Sequence, residues 1–209
     1  IGLKRRLDRT MTNEEHIDWM KRDVVRILTP YSVGTGFWLS NYHVILTNEH
    51  VIRDNAKVVV ENSEYRRVEA EVIHHDAVHD LAILKVNEAF GEHRGFEFRK
   101  GDILQGMDVS ALGFKDGRDF IMTKGVVEKT DLIRHEVRLL KHTAMLDAGC
   151  SGGPLLSNEW EIVGLNMQSV KEGVPGGIAL PGHALHHLIE EVLNEKLKSL
   201  RCHGCRTLI

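Results

Sequence analysis

Apolar positions change period twice along this chain, from a helical spacing to an alternating one and back again. Near the start, Ile17, Met20, Val24, Ile27 and Leu28 recur at helical intervals, Thr12 and Glu15 have capping-box spacing, and Thr29-Pro30 stops the run. The spacing predicts one amphipathic helix over 11–28, within an N-terminal helical extension over 1–30. From Tyr31 onward, short runs rich in β-branched residues are separated by Gly, Asn and Asp, which is strand-and-turn patterning. It predicts strands over 36–39, 44–47, 57–60, 67–73 and 81–86, with the clearest alternation at Val68, Ala70 and Val72. A polar stretch over 87–101 interrupts them and reads as the linker between two halves. A second set of strands is expected over 107–114, 120–128, 136–140, 155–156, 160–168 and 178–180. After Pro181 and Gly182, a run through Leu185, Leu188, Ile189, Val192, Leu193, Leu197 and Leu200 marks a second amphipathic helix ending near Cys202. The chain is therefore expected to be mainly β: two units over about 31–95 and 101–182, followed by a helix and a Cys-containing tail over 183–209.

Composition narrows the function. At 209 residues, with 42% hydrophobic and 27% charged positions, the chain can build a sizeable core and is neither disordered nor fibrous. Lys and Arg number 27 against 30 Asp and Glu, a net charge of -3, so the basic excess that attracts nucleic acid is missing. No apolar run approaches the ~20 residues that cross a bilayer, so no membrane span is expected. The three cysteines, Cys150, Cys202 and Cys205, are too few and scattered for a disulfide framework and fit a reducing compartment, which tilts the expected location toward the cytoplasm. His74, His75 and His79, like His183, His186 and His187, come without the Cys or carboxylate partners of a metal centre. Cys202-His203-Gly204-Cys205 supplies half of a zinc spacing with no second pair after it, so neither metal nor cofactor is expected.

The chemistry concentrates in three segments. In Asp147-Ala148-Gly149-Cys150-Ser151-Gly152-Gly153-Pro154, three glycines around one serine permit a tight turn, close approach of another chain and convergent backbone N–H groups. That suits a nucleophile beside an oxyanion hole. A base candidate, His50, follows the strand Val44-Ile45-Leu46-Thr47, while His43 reads as a turn residue. Asp80, at the mouth of Leu81-Ala82-Ile83-Leu84, is placed to orient such an imidazole.

These segments, together with Gly34-Thr35-Gly36-Phe37, occur in the order His, Asp, Ser and resemble the chymotrypsin-fold (trypsin-like) serine peptidases, more closely their HtrA/Deg branch. The resemblance extends through Ala111-Leu112-Gly113-Phe114, Ile162-Val163-Gly164-Leu165-Asn166 and Gly177-Ile178-Ala179-Leu180-Pro181, about Tyr31 to Val192. It implies a chymotrypsin-like double β-barrel with N- and C-terminal helices. It also implies a serine endopeptidase with Ser151 as nucleophile, His50 as general base, Asp80 as its orienting partner, and the N–H groups of Gly149 and Ser151 as oxyanion hole. The primary pocket is expected between Ala144, Met145 and Leu146 on one wall and Leu165, Asn166, Met167 and Ile178 on the other. All are uncharged, so cleavage after a small or medium apolar residue is expected.

Two departures qualify the resemblance. Cys150 stands where the branch has Asn and the digestive enzymes Asp; in the shared Gly-Xaa-nucleophile-Gly-Gly frame it falls at the variable position and reads as a buried, inert thiol. Ile1-Gly2 resembles the start of an activated digestive peptidase, but Cys150 carries no charge to pair with a terminal amine, so that device is not expected. Polypeptides are the expected substrates, with additional regulatory domains or a homo-oligomer as compatible partners. The readings from other classes are a catalytically latent peptide-binding or scaffold domain of the same fold and a protease module activated by additional domains.

Overall fold

The computed structural model describes residues 13–86, 93–171 and 174–204. Helix α1 (Asn13–Asp23) leads into a first barrel of β1 (Val24–Leu28), β2 (Val33–Leu39), β3 (Val44–Thr47), β4 (Lys57–Glu61), β5 (Arg67–Asp76) and β6 (Leu81–Val86), with the one-turn helix α2 (Glu49–Ile52) after β3. The second barrel holds β7 (Asp108–Lys115), β8 (Asp119–Arg134), β9 (Val137–His142), β10 (Pro154–Leu156), β11 (Ile162–Lys171) and β12 (Val174–Pro181), and helix α3 (Gly182–Gly204) closes the described chain. Both sheets close, in the orders β1-β2-β3-β6-β5-β4 and β10-β11-β12-β9-β8-β7, and all named strand pairs are antiparallel. This is the mainly β double barrel expected from the resemblance.

The first helix is shorter than its apolar spacing predicts. It ends at Asp23, and 24–28 forms β1, the strand that closes the first barrel by pairing with β2 from Val24↔Phe37 to Leu28↔Val33 and with β4 from Arg26↔Glu61 to Leu28↔Val59. Val24, Val25 and Ile27 satisfy a helical stripe and a two-sided buried strand alike, and cross-barrel pairing decides between them. Thr12, half of the expected capping box, lies outside the described residues, as does Cys205.

Two further differences concern length. The strand expected over 120–128 runs on to Arg134, because β8 and β9 extend past the barrel as a hairpin in which His135 (φ 48°) and Glu136 (φ 67°) form a left-handed two-residue turn between Arg134 and Val137. The described part of the linker is not a solvated connector. Phe96 is fully buried, exchanges hydrogen bonds with Trp38 and Ser40 of the first barrel's rim, and is followed by Phe98 bridging to Ile162 of β11. The connector is thereby stitched to both barrels.

Three apolar clusters organise the interior. One fills the first barrel with Val25, Ile27, Trp38, Ile45 and Leu84, and another fills the second with Val109, Val127, Leu140, Leu155 and Val163. The largest spans the seam, where Trp19 and Met20 of α1 and Leu185 and Ile189 of α3 join Phe37, Phe96, Leu112, Phe114 and Leu165. At roughly 1.5–3 kcal/mol per buried large side chain, this shared cluster fixes the barrels against each other and so sets the geometry of anything built between them.

Candidate active site

The first barrel supplies the imidazole. β3 ends at Thr47, and α2 turns immediately so that Val51 and Ile52 enter the barrel core while the His50 side chain stays 49% exposed. Gly34 of β2 is required beneath this turn, because a Cβ there would lie 2.6 Å from both Val51 methyl groups. Asp80 precedes β6 with φ of 52°, a left-handed backbone that Asp tolerates better than most residues. Asn48 Nδ2 donates to its carbonyl at 2.9 Å. The Asp80 carboxylate takes the His50 backbone N–H at 3.0 Å on Oδ1 and faces His50 Nδ1 at 2.7 Å with Oδ2. A carboxylate only accepts, so Nδ1 is the donor of this contact, and in the neutral ring Nε2 is then left as a lone pair.

The second barrel supplies the serine loop over 147–153, between β9 and β10. Its backbone is held peptide by peptide. Asp116 N–H donates to the Ala148 carbonyl at 2.7 Å, Cys150 N–H to Asp147 at 3.1 Å, and Gly153 N–H to Cys150 at 3.1 Å. In a trans peptide the N–H points opposite to the carbonyl. Pinning the Ala148 and Cys150 carbonyls therefore turns the Gly149 and Ser151 amides away from those partners, and neither donates a backbone hydrogen bond among the described residues. Gly149 (φ 90°) and Gly152 (φ 87°) make the path accessible. A Cβ on Gly149 would meet Phe114 O at 2.4 Å, and one on Gly152 would meet Thr35 O at 2.1 Å.

Thr35 joins the two halves. Its backbone N–H donates to the Ser151 carbonyl at 2.9 Å, and its hydroxyl donates to the Gly149 carbonyl at 2.6 Å while accepting the Phe114 N–H at 3.1 Å. The structure thus joins His50 to Asp80 directly and carries the Ser151 loop onto β2 and Thr47. Among the described residues, no hydrogen bond runs between Ser151 Oγ and His50 Nε2. Cys150 is buried in the second barrel's core, and burial pushes its thiol up to about 11, which is unlike a reactive thiolate.

Of the seven expected pocket residues, Met145 is 44% exposed and Met167 half-buried, whereas Ala144, Leu146, Leu165, Asn166 and Ile178 are closely packed. One of them, Asn166, takes part in a pairing the sequence did not announce. His142 Nε2 and Asn166 Oδ1 are 3.1 Å apart and both residues are fully buried, with Asn166 Nδ2 donating to Pro154 O at 3.2 Å. Burial lowers the His142 pKa from 6.5 to about 4, so the ring is neutral and donates to Asn166. Two of the other histidines are engaged elsewhere: His79 pairs with Asp76 at 2.6 Å, and His186 stacks on Phe98 with ring centroids 4.7 Å apart. Among the described residues, no group of three or more His, Cys, Asp or Glu is placed to hold a metal ion. No described helix is long and apolar enough to cross a membrane.

Arg26 is the other residue that sequence reasoning missed, since its stretch reads as helix. Its Nε pairs with Glu61 at 2.6 Å, and its Nη1 donates at 2.9 Å to the carbonyl of Arg118, in the β7–β8 turn that also holds Ala148. Burial raises the Glu61 pKa, and the hydrogen bonds from Arg67 and Arg26 outweigh it, leaving the carboxyl below the ordinary value.

The family description "Trypsin-like peptidase domain" matches residues 34–165. The chain is 28% identical over 140 residues to the serine protease Do-like HtrA of Bacillus subtilis (strain 168), a match covering 61% of this chain and 31% of that protein. It is 29% identical over 176 residues to the serine protease HTRA4 of Mus musculus, covering 81% of this chain and 36% of that protein. The chain therefore spans about a third of the length of these relatives. The crystal structure of the serine endoprotease from Yersinia pestis superposes with a TM-score of 0.76 at 24% identity, over 89% of this chain and 68% of that one. An inactive form of Rv3671c from M. tuberculosis H37Rv gives 0.73 at 22% identity, over 86% and 91%. At these identities the solved structures show a common fold. The family match covers more than half of the sequence, including His50, Asp80 and the serine loop, and the chain belongs to the trypsin-like peptidase domain family.

Proposed function

We propose that this chain is a serine endopeptidase domain of HtrA type, hydrolysing polypeptides through an acyl-enzyme intermediate. The observation that carries this reading is the two-point contact between His50 and Asp80, which fixes the tautomer and aim of the imidazole. In the mechanism it supports, Ser151 Oγ attacks the scissile carbonyl as His50 Nε2 takes its proton. The oxyanion is received by the N–H groups of Gly149 and Ser151, where one such donor typically contributes about 2.7–4 kcal/mol. His50 then returns the proton to the leaving amine, and water repeats the sequence on the acyl-enzyme. Asp80 stabilises the transient imidazolium without itself becoming protonated. Hydrogen bonds between nucleophile and base are commonly long in free enzymes and tighten when substrate fills the cleft.

Uncharged surroundings support cleavage after an apolar residue, with Met145 and Met167 as the side chains a substrate would first meet. A peptide library is expected to select small or medium apolar residues before the scissile bond; selection of Lys, Arg, Asp or Glu would overturn that specificity. The open contact between Ser151 and His50 is the observation favouring a latent scaffold instead. Turnover of an unfolded protein substrate by the chain, and its loss in Ser151→Ala, tests the protease reading; equal turnover by both proteins would overturn it.

A further inference from the structure

Thr35 is fully buried, and its hydroxyl has a single proton, which goes to the Gly149 carbonyl at 2.6 Å. A lone pair on the same oxygen takes the Phe114 N–H at 3.1 Å, so the hydroxyl is committed in both roles. Its partners lie in the second barrel while Thr35 lies in the first, 114 positions from Gly149 in sequence. The bond to Gly149 fixes the peptide plane on one side of that residue, and the Asp116 N–H bond to Ala148 fixes the plane on the other. The Gly149 N–H belongs to the plane that Asp116 holds; glycine at φ of 90° has no side chain to resist rotation, so the Thr35 bond, by holding the adjoining plane, keeps the two planes in that relation. The Thr35 backbone N–H grips the Ser151 carbonyl at 2.9 Å, so one residue holds the loop on both sides of Cys150.

We propose that the Thr35 hydroxyl is a positioning residue for the oxyanion hole, bracing the Gly149–Cys150 peptide from across the barrel seam so that the adjoining peptide keeps the Gly149 amide in its receiving orientation. This rests on the serine-peptidase reading. Thr35 touches neither substrate nor Ser151 Oγ in this scheme; it acts through the two peptide planes that meet at Gly149. Its removal frees the Gly149–Cys150 peptide to rotate, so that the Gly149 amide drifts from its receiving orientation without emptying the substrate pocket. A small misplacement of a catalytic group costs up to about 10²-fold in rate, so the expected loss is roughly 10- to 100-fold.

The test compares wild type, Thr35→Val and Thr35→Ser as full chains, measuring kcat and KM on a peptide substrate, fluorophosphonate labelling rate, melting temperature and exchange of the Phe114 amide proton. The expected result is that Thr35→Val loses kcat and labelling rate by about 10- to 100-fold with KM little changed, and exchanges the Phe114 proton faster. Thr35→Ser, which keeps the hydroxyl, recovers near wild-type values. Wild-type rates in Thr35→Val would overturn the proposal, as would equal losses in the Ser and Val variants, because the Ser variant keeps the hydroxyl. If the Val variant does not fold, Thr35→Cys, close in volume and a weak donor, takes its place: a comparable loss of kcat and labelling rate supports the proposal, and wild-type rates overturn it. A wild-type chain inert to the probe would overturn the serine-peptidase reading itself, and the proposal with it.

Discussion

The Asp80 carboxylate holds His50 at two points, the backbone N–H at 3.0 Å and the ring Nδ1 at 2.7 Å. One contact anchors the start of α2 and the other fixes the ring's proton, so position and tautomer are set by the same side chain. Asp80→Asn keeps the shape but offers an N–H where Nδ1 needs an acceptor, which favours the wrong tautomer. The expected loss in kcat is about 10³- to 10⁴-fold at neutral pH, with little change in melting temperature. Steady-state kinetics of the purified variant check this, and a loss below tenfold would show that Asp80 does not orient the base.

Gly152→Ala tests the seam from the opposite side. The added Cβ would stand 2.1 Å from Thr35 O and 2.5 Å from Thr47 Oγ1, at a φ of 87° that alanine resists. The serine loop must then retreat from β2. Loss of turnover is expected together with a destabilisation of about 1–3 kcal/mol from the strained backbone alone, measured by chemical denaturation. A variant as stable and active as wild type would mean that the loop does not need this approach.

The buried His142 makes stability depend on pH. Unfolded, it binds a proton below its ordinary pKa of 6.5; folded, burial delays binding to about 4. Between these values the unfolded chain holds more protons, so stability is fully present above about pH 6.5 and is lost as pH falls toward 4. The contribution is of order 3 kcal/mol. Denaturant midpoints measured from pH 7.5 to 4.5 are expected to fall, with a shallower slope in His142→Gln. Identical slopes in the two proteins would remove His142 as the cause.

What could be read from the sequence depended on how local each signal is. The Gly-Cys-Ser-Gly-Gly string, the Thr-Asn-Glu-His turn and the strand after Asp80 each carry their chemistry within a few residues, and the alternation of β5 and the apolar run of β6 announce themselves in the same way. Strand β1 did not, because Val24, Val25 and Ile27 suit a helical stripe and a buried strand alike, and pairing with Phe37 and Glu61 decides between them. The β8–β9 hairpin was cut short for a related reason: His135 and Glu136 adopt a turn that usually carries Asn and Gly. Thr35 stood inside a recognised string, yet nothing near it foretells a hydroxyl bonded to a carbonyl in the other barrel. The pairing of His142 with Asn166 was equally hidden, because the two stand 24 positions apart, on the strands β9 and β11 that flank β12.

The central claim is that one serine hydroxyl is activated by His50 beside waiting backbone amides. Intact-protein and peptide mass spectrometry after exposure to a fluorophosphonate measures this most directly. A single adduct on Ser151 is expected in the wild-type chain, absent in Ser151→Ala and strongly slowed in His50→Ala. An unmodified wild-type chain, or an adduct that persists unchanged in His50→Ala, would contradict the account.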